Sequence, residues 1–352
     1  MPIKVAVVGL IGNLGSRLTA ILNQSPEFEV AAGVVQPDNN LTKNLDILSV
    51  SPQLKQTIFA EKMFMTGRRK DINLWNQKQN QVYFESVDQL SLKKEVEAVI
   101  DVTPKGSREL IQQYHDFAGP VILQSGAAPL GKSISPPIIE KADNNIYRQG
   151  DCLVSALVPV LKAFDGLKSV RLHLIKQYGE KLLDYPTYQR VNAIYLCTDV
   201  ADYLKAELSS LMPQVGIEVE GVYQIPGLMY YTATLALELT HPIDGSILKE
   251  RLSSLPRMMV VADELTSSYD IDYRLRDPFR AVGRGLPPIS IYGATLEPGL
   301  GSSSKSVKIQ LAIYYKLIAV LPNVDALRVF LLNESPTEAM EKTDELASRL
   351  PV

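Results

Sequence analysis

Cys152 sits in Gly150-Asp151-Cys152-Leu153-Val154-Ser155-Ala156-Leu157, where an apolar run with helical character begins. A thiol at the first turn of a helix faces unpaired backbone N–H groups and the positive end of the helix dipole, which favours thiolate over thiol. The chemistry this permits is nucleophilic and covalent. Lys176 closes the following strand-like run and is the cation that would favour the charged thiol; an exposed strand-end lysine is the competing reading. Ser155, one helical turn beyond Cys152, and Arg171 could, with Lys176, hold one anionic group of a small-molecule substrate. Apolar Leu153 and Val154 argue against a heavily phosphorylated one.

A second constellation opens the chain. Val5 to Val8 is a continuous β-forming run, and Gly9-Leu10-Ile11-Gly12-Asn13-Leu14-Gly15 follows it directly into a helical pattern. Glycines at 9, 12 and 15 allow a sharp turn and close approach of a ligand, and the helix start offers its N–H groups to a pyrophosphate. The spacing is one residue longer than the usual dinucleotide fingerprint, and a turn needing glycine for conformation alone is the plainer alternative. Gln36 follows the second strand where an acid would mark NAD, and Asp38 is a weak substitute, so NADP and NAD both stand as the cofactor.

Net charge is −3, which points to no nucleic-acid partner, and the clusters Arg68-Arg69-Lys70 and Lys93-Lys94 are short. No apolar run reaches membrane-spanning length. The two cysteines, Cys152 and Cys197, and the scattered His115, His173 and His241 form no metal-binding spacing. The opening residues read as a strand rather than a leader, so the expectation is a cytoplasmic protein with free thiols and no bound metal.

At 352 residues, two domains are expected. Strand–helix alternation over the first part predicts strands at Val30–Val35, Val82–Phe84, Val96–Val102 and Val121–Gln124. Helices are expected at Arg17–Leu22, Asn44–Leu48, Ala60–Arg69 and Ser107–Ala118. Longer strands follow at Ser169–Gln177, Gly216–Tyr223, Leu228–Leu239 and Val307–Val320, with covering helices at Asp199–Leu211 and Ser246–Leu255. Asn323–Phe330 and Ser335–Leu350 close the chain as helices, the second announced by Ser335-Pro336-Thr337-Glu338. The fold class is α/β: a Rossmann-type parallel-sheet domain plus an α+β catalytic domain with a mixed or antiparallel sheet.

The order of these motifs resembles the glyceraldehyde-3-phosphate dehydrogenase superfamily over nearly the whole chain, most closely its archaeal-type branch. Asp101-Val102-Thr103-Pro104-Lys105-Gly106 is similar to the turn beside the cofactor, Gln124-Ser125-Gly126 to the Gln-Gly-Gly segment, and Tyr147–Leu157 to the strand and nucleophile helix. Arg276-Asp277 with Arg280, then Asn323-Val324-Asp325-Ala326-Leu327-Arg328, resemble later segments. The resemblance implies a cofactor site drawn from Gly9, Gly12, Asn13, Leu14, Gly15, Gln36, Thr103, Pro104, Gly106, Gln124, Ser125, Gly126 and Asn323. It also implies domains at 1–151 with 323–352 and at 152–322, and a homo-oligomer, tetramer or dimer.

The chain departs from that pattern at the site itself. Asn192–Val200 lacks the family's histidine, Tyr314-Tyr315-Lys316-Leu317 replaces a polar stretch, and Lys176-Gln177 replaces an arginine pair. Two functions follow: an NAD(P)-dependent oxidoreductase acting through Cys152 on an aldehyde or acyl derivative other than glyceraldehyde 3-phosphate, or a catalytically degenerate paralogue serving binding, regulation or assembly. The replacement for the missing base stays open: His173 reads more readily as a sheet residue, Lys176 is the better candidate for lowering the pKa of the Cys152 thiol, Tyr178 and Tyr195 are other donors, and Cys197, His115 and His241 read as structural.

Overall fold

The computed structural model describes residues 1–36, 60–67, 69–78, 83–103, 110–124, 130–178, 194–226, 230–261, 289–296, 303–314 and 318–348. They belong to two compact units. The first comprises Met1–Ile134, Ile139–Asp151 and the segment from Val320; the second comprises Ser135–Ile138 and Cys152–Ala319.

The first unit starts with β1 (Ile3–Val8), α1 (Asn13–Leu22), β2 (Phe28–Val35), β3 (Lys62–Met65), α2 (Arg69–Lys78) and β4 (Glu85–Ser86). It continues through α3 (Leu92–Glu95), β5 (Ala98–Asp101), α4 (Ile111–His115), β6 (Val121–Gln124), β7 (Lys132–Ile134) and β8 (Ile146–Gln149). The eight strands pair in the order β4-β3-β2-β1-β5-β6-β8-β7, every pairing parallel. Val5 and Val7 feed one apolar cluster, Ala6 and Val8 another, so β1 is buried on both faces, which is why its sequence is apolar without alternation. The strand order reverses between β1 and β5, the place where open parallel sheets bind ligands.

The second unit contains α5 (Cys152–Lys162), β9 (Leu167–Tyr178), β10 (Tyr195–Leu196), α6 (Thr198–Leu211), β11 (Gly216–Pro226) and β12 (Tyr230–Asp244). After α7 (Gly245–Ser253) come β13 (Met258–Val260), β14 (Ile289–Leu296) and β15 (Ser303–Tyr314). Its sheet is mixed, in the order β10-β11-β9-β12-β15-β14-β13. Val170, Leu172 and Leu174 of β9 and Ala233, Leu235 and Leu237 of β12 form one apolar face, covered by α5, α6 and α7. The alternate residues, Arg171 and His173 among them, lie on the other face, as period-2 geometry requires. The chain then returns to the first unit as α8 (Leu321–Leu332) and α9 (Pro336–Ser348).

Three expectations are corrected. The helix expected at Ala60–Arg69 is instead strand β3, because Met63, Phe64 and Met65 form an uninterrupted buried run beside β2 and the helix starts only beyond Gly67. The strand expected at Val82–Phe84 falls on Glu85–Ser86. The strand expected to reach Val320 ends at Tyr314, and Ile318 to Val320 are buried in a helical turn that leads into α8. Asn44–Leu48 lies outside the described residues.

Candidate active site

In the first unit the glycine turn has the geometry its spacing implied. Gly9 adopts φ +86°, a left-handed conformation open to glycine, and its amide donates to the Val34 carbonyl at 2.8 Å. A Cβ on Gly15 would collide with the Gly9 carbonyl and the Leu10 Cα, so only glycine lets α1 start this close to the turn. Gly12 is the N-cap of α1; no side chain caps the helix and no acid occupies its first turn, leaving the amides around Asn13 and Leu14 as the polar surface there. Extra length in the motif is absorbed by a tight turn in which the Gly12 amide donates to the Gly9 carbonyl at 2.9 Å.

Beside this turn, Thr103 lies against Gly9, its methyl carbon 3.2 Å from where a Gly9 Cβ would stand. Asp101, 1% exposed, holds it there: Oδ1 accepts from the Thr103 amide at 2.9 Å and hydroxyl at 2.6 Å, and Oδ2 accepts from the Tyr114 hydroxyl at 2.9 Å. Asp-x-Thr is the signature of such an Asx turn, so the brace was readable in sequence; Tyr114, which anchors it from α4, carried no sequence signal. Gln36 is exposed just beyond β2. Pro104, Gly106, Ser125, Gly126 and Asp38, with Arg276, Asp277 and Arg280, lie outside the described residues.

Gln124 ends β6 and Asn323 occupies the first turn of α8, and the fold brings these two distant residues together. The Asn323 Nδ2 donates to Gln124 Oε1 at 2.5 Å, and Gln124 Nε2 donates to the Gly150 carbonyl at 3.1 Å. Neither amide is presented to solvent.

In the second unit Cys152 is the first residue of α5, half-buried, in no disulfide, and packed against the unit's apolar cluster. No acid occupies the first turn of α5, and Lys162 complements the dipole at its far end. A short turn, in which the Leu167 amide donates to the Phe164 carbonyl at 3.4 Å, leads from α5 into β9. Lys176 alternates onto the helix-covered face with Leu172 and Leu174; its Nζ lies 5.7 Å from the Tyr231 ring centroid, and no described carboxylate pairs with it. Tyr231 as its neighbour was missed from sequence, since strand pairing decides it.

The remaining candidates are placed elsewhere. Ser155 is buried within α5 at 2% exposure. Arg171 stands on the opposite face, in an exposed ion pair with Glu220 at 3.6 Å. His173 shares that face, its ring 5.1 Å from that of Tyr223. His241 lies at the far end of β12 from Tyr231, and His115 in the first unit. Cys197 caps α6, its thiol donating to Gln224 Oε1 at 3.6 Å. Among the described residues no group of His, Cys, Asp and Glu could hold a metal ion, and no helix is long and apolar enough to cross a membrane.

No protein-family model matches the chain, and no curated protein matches it in sequence. Solved structures do share its fold. Aspartate semialdehyde dehydrogenase II of Vibrio cholerae, crystallised in complex with ASA, superposes with a TM-score of 0.59 at 10% identity, covering 95% of this chain and 99% of that one. A probable aspartate-semialdehyde dehydrogenase from Pseudomonas aeruginosa gives 0.59 at 11% identity, covering 94% and 100%. A likeness at this identity establishes the two-part α/β architecture.

Proposed function

We propose that the chain is a nicotinamide-dependent oxidoreductase that acts through Cys152 on an aldehyde or acyl derivative. The observation that carries this reading is the half-buried thiol at the first residue of α5, where no acid occupies the first turn. The dehydrogenase names borne by the two solved neighbours support it.

The glycine turn fits a dinucleotide: Gly15 leaves a cradle that a Cβ would fill, and the α1 amides are neither capped nor faced by an acid. Gly9, Gly12, Asn13, Leu14, Gly15 and Thr103 would hold it, with Gln36 at the ribose end. A bound nicotinamide, NADP or NAD, supplies hydride acceptance.

The protein's own groups do the rest. The helix N-terminus and Lys176 favour the Cys152 thiolate, which attacks the aldehyde carbon; the C–S bond forms and the carbonyl electron pair moves to oxygen. After oxidation Cys152 holds the acyl group as a thioester, which water or phosphate cleaves, returning the thiolate. One observation favours the degenerate-paralogue reading instead: within the second unit His173 stands on the face opposite the helices and His241 at the far end of β12 from Tyr231, so neither histidine of that unit serves as base on the helix-covered face.

The test is direct. NADPH and NADH are titrated by nicotinamide fluorescence, and Cys152 alkylation by iodoacetamide is followed against pH in a Cys197→Ser background. Binding of either nucleotide, with alkylation half-maximal well below about pH 8.5, is expected. No binding together with an ordinary thiol would establish the non-enzymatic reading.

A further inference from the structure

We propose that Lys176 and Gln224 form a binding site for a single carboxylate group, with Cys197 setting the orientation of the amide. The site lies within the second unit and does not depend on the chemistry of Cys152. Gln224 of β11 stands opposite Lys176 of β9 in a parallel ladder, so the two side chains leave neighbouring strands on the same face. That face is the helix-covered one: Lys176 alternates with Leu172 and Leu174, and Gln224 with Val222, all fully buried. Tyr231 of β12 flanks Lys176 on the other side, its ring centroid 5.7 Å from Nζ.

The Lys176 ammonium is half-buried, and among the described residues it meets no carboxylate and no hydrogen-bond acceptor; Asp199, in the first turn of α6, is exposed and makes no ion pair with it. A ring face attracts a cation without neutralising it, and a partly desolvated cation favours a ligand that brings the counter-charge. Gln224 supplies the second contact. Its Oε1 accepts from the Cys197 thiol at 3.6 Å, and Cys197 is itself tied to β11 by its amide, which donates to the Val222 carbonyl at 2.8 Å. With the amide oxygen engaged, Nε2 is left to donate to a ligand. One cation and one neutral donor, on strands about 5 Å apart, suit the two oxygens of a monoanionic carboxylate. A phosphate dianion calls for a second cation, and Arg171, which the sequence grouped with Lys176, is on the opposite face in an ion pair with Glu220.

The full chain is titrated with butyrate, with its neutral isostere butyramide and with inorganic phosphate. Binding is read from saturation-transfer NMR of the ligand protons, and phosphate from its displacement of butyrate. The parent is expected to bind butyrate at least about tenfold more tightly than butyramide, the worth of a hydrogen bond to a charged group. Lys176→Met and Gln224→Met should each weaken butyrate by at least about tenfold, whereas Arg171→Met should leave it within about twofold. Cys197→Ala should weaken it by about threefold, and Cys197→Ser, which keeps a donor to Gln224, should restore it. Folding is checked by circular dichroism; should Lys176→Met fail to fold, Lys176→Gln takes its place. A parent that binds butyramide as well as butyrate overturns the site, as do folded Lys176 and Gln224 variants that bind butyrate like the parent. Phosphate binding more tightly than butyrate overturns the carboxylate assignment, and equal affinities in Cys197→Ala and the parent overturn the role of the thiol.

Discussion

Arg328 and Glu334 form a two-point ion pair, Nε and Nη2 lying 2.7 and 3.0 Å from the carboxylate oxygens, with the guanidinium 1% exposed. Nη2 also donates to Glu27 at 3.1 Å, and Lys342 reaches Glu334 at 2.6 Å, so one buried cation fastens the α8–α9 turn to the α1–β2 turn. Removing one partner of such a pair leaves a buried charge uncompensated.

Glu334→Gln is accordingly expected to destabilise the first unit by about 3 kcal/mol, read from urea unfolding at pH 7. The acid dependence has a definite sign. Burial pushes the Glu334 carboxyl up, but hydrogen bonds from Arg328 and Lys342 outweigh it and hold it below the ordinary range; Glu27 behaves likewise through Arg328 and Ser25. Both fold with depressed values, so their stabilisation is fully present above the unfolded value of about 4.3 and is lost as pH falls through the folded ones. The parent's melting temperature should therefore drop below about pH 4.3 more steeply than that of Glu334→Gln; parallel curves would show that this carboxylate carries no share.

Gly15 tests the nucleotide cradle. Because a Cβ there meets backbone atoms of Gly9 and Leu10, Gly15→Ala must push α1 away from the turn. NADPH affinity is expected to weaken by at least about tenfold, ~1.4 kcal/mol. Gly12→Ala, whose Cβ would stand 3.1 Å from the Gly9 oxygen, should cost less. Equal affinities in all three proteins would count against the turn as the binding site.

Much of this was legible before any coordinates. Unbroken apolar strands such as Val5–Val8 and Val121–Gln124 announced a parallel sheet buried on both faces, and the Ser335/Glu338 capping box announced α9. Period-2 alternation also placed Lys176 and His173 on opposite faces of β9 correctly. Illegible features depend on contacts between distant segments. Residues 60–69 look helical in isolation because Lys62-Met63-Phe64-Met65 has no strand signature until β2 lies beside it. Gln124 and Asn323, 199 residues apart, carry no sequence trace of their hydrogen bond.

Lys176 and Arg171, on opposite faces of one strand, separate a specific effect on Cys152 from general charge. Lys176→Met is expected to raise the pH midpoint of Cys152 alkylation, by removing the cation proposed to favour the thiolate. Arg171→Met should leave it in place, since its guanidinium pairs with Glu220 on the other face in an exposed geometry. Equal shifts in both variants would assign the effect to net charge.

Tyr114 anchors the Asp101 turn that braces the glycine loop. Its hydroxyl donates 2.9 Å to a carboxylate that is 1% exposed, and the other Asp101 oxygen is already engaged by Thr103. Tyr114→Phe keeps the ring and removes that donor from a buried carboxylate, at a cost of about 2 kcal/mol in urea unfolding. Because Thr103 lies against Gly9, the loss should reach the cofactor loop and weaken NADPH binding, an effect packing alone would not produce. Unfolding at the parent's midpoint would mean that Asp101 is held by Thr103 without help from α4.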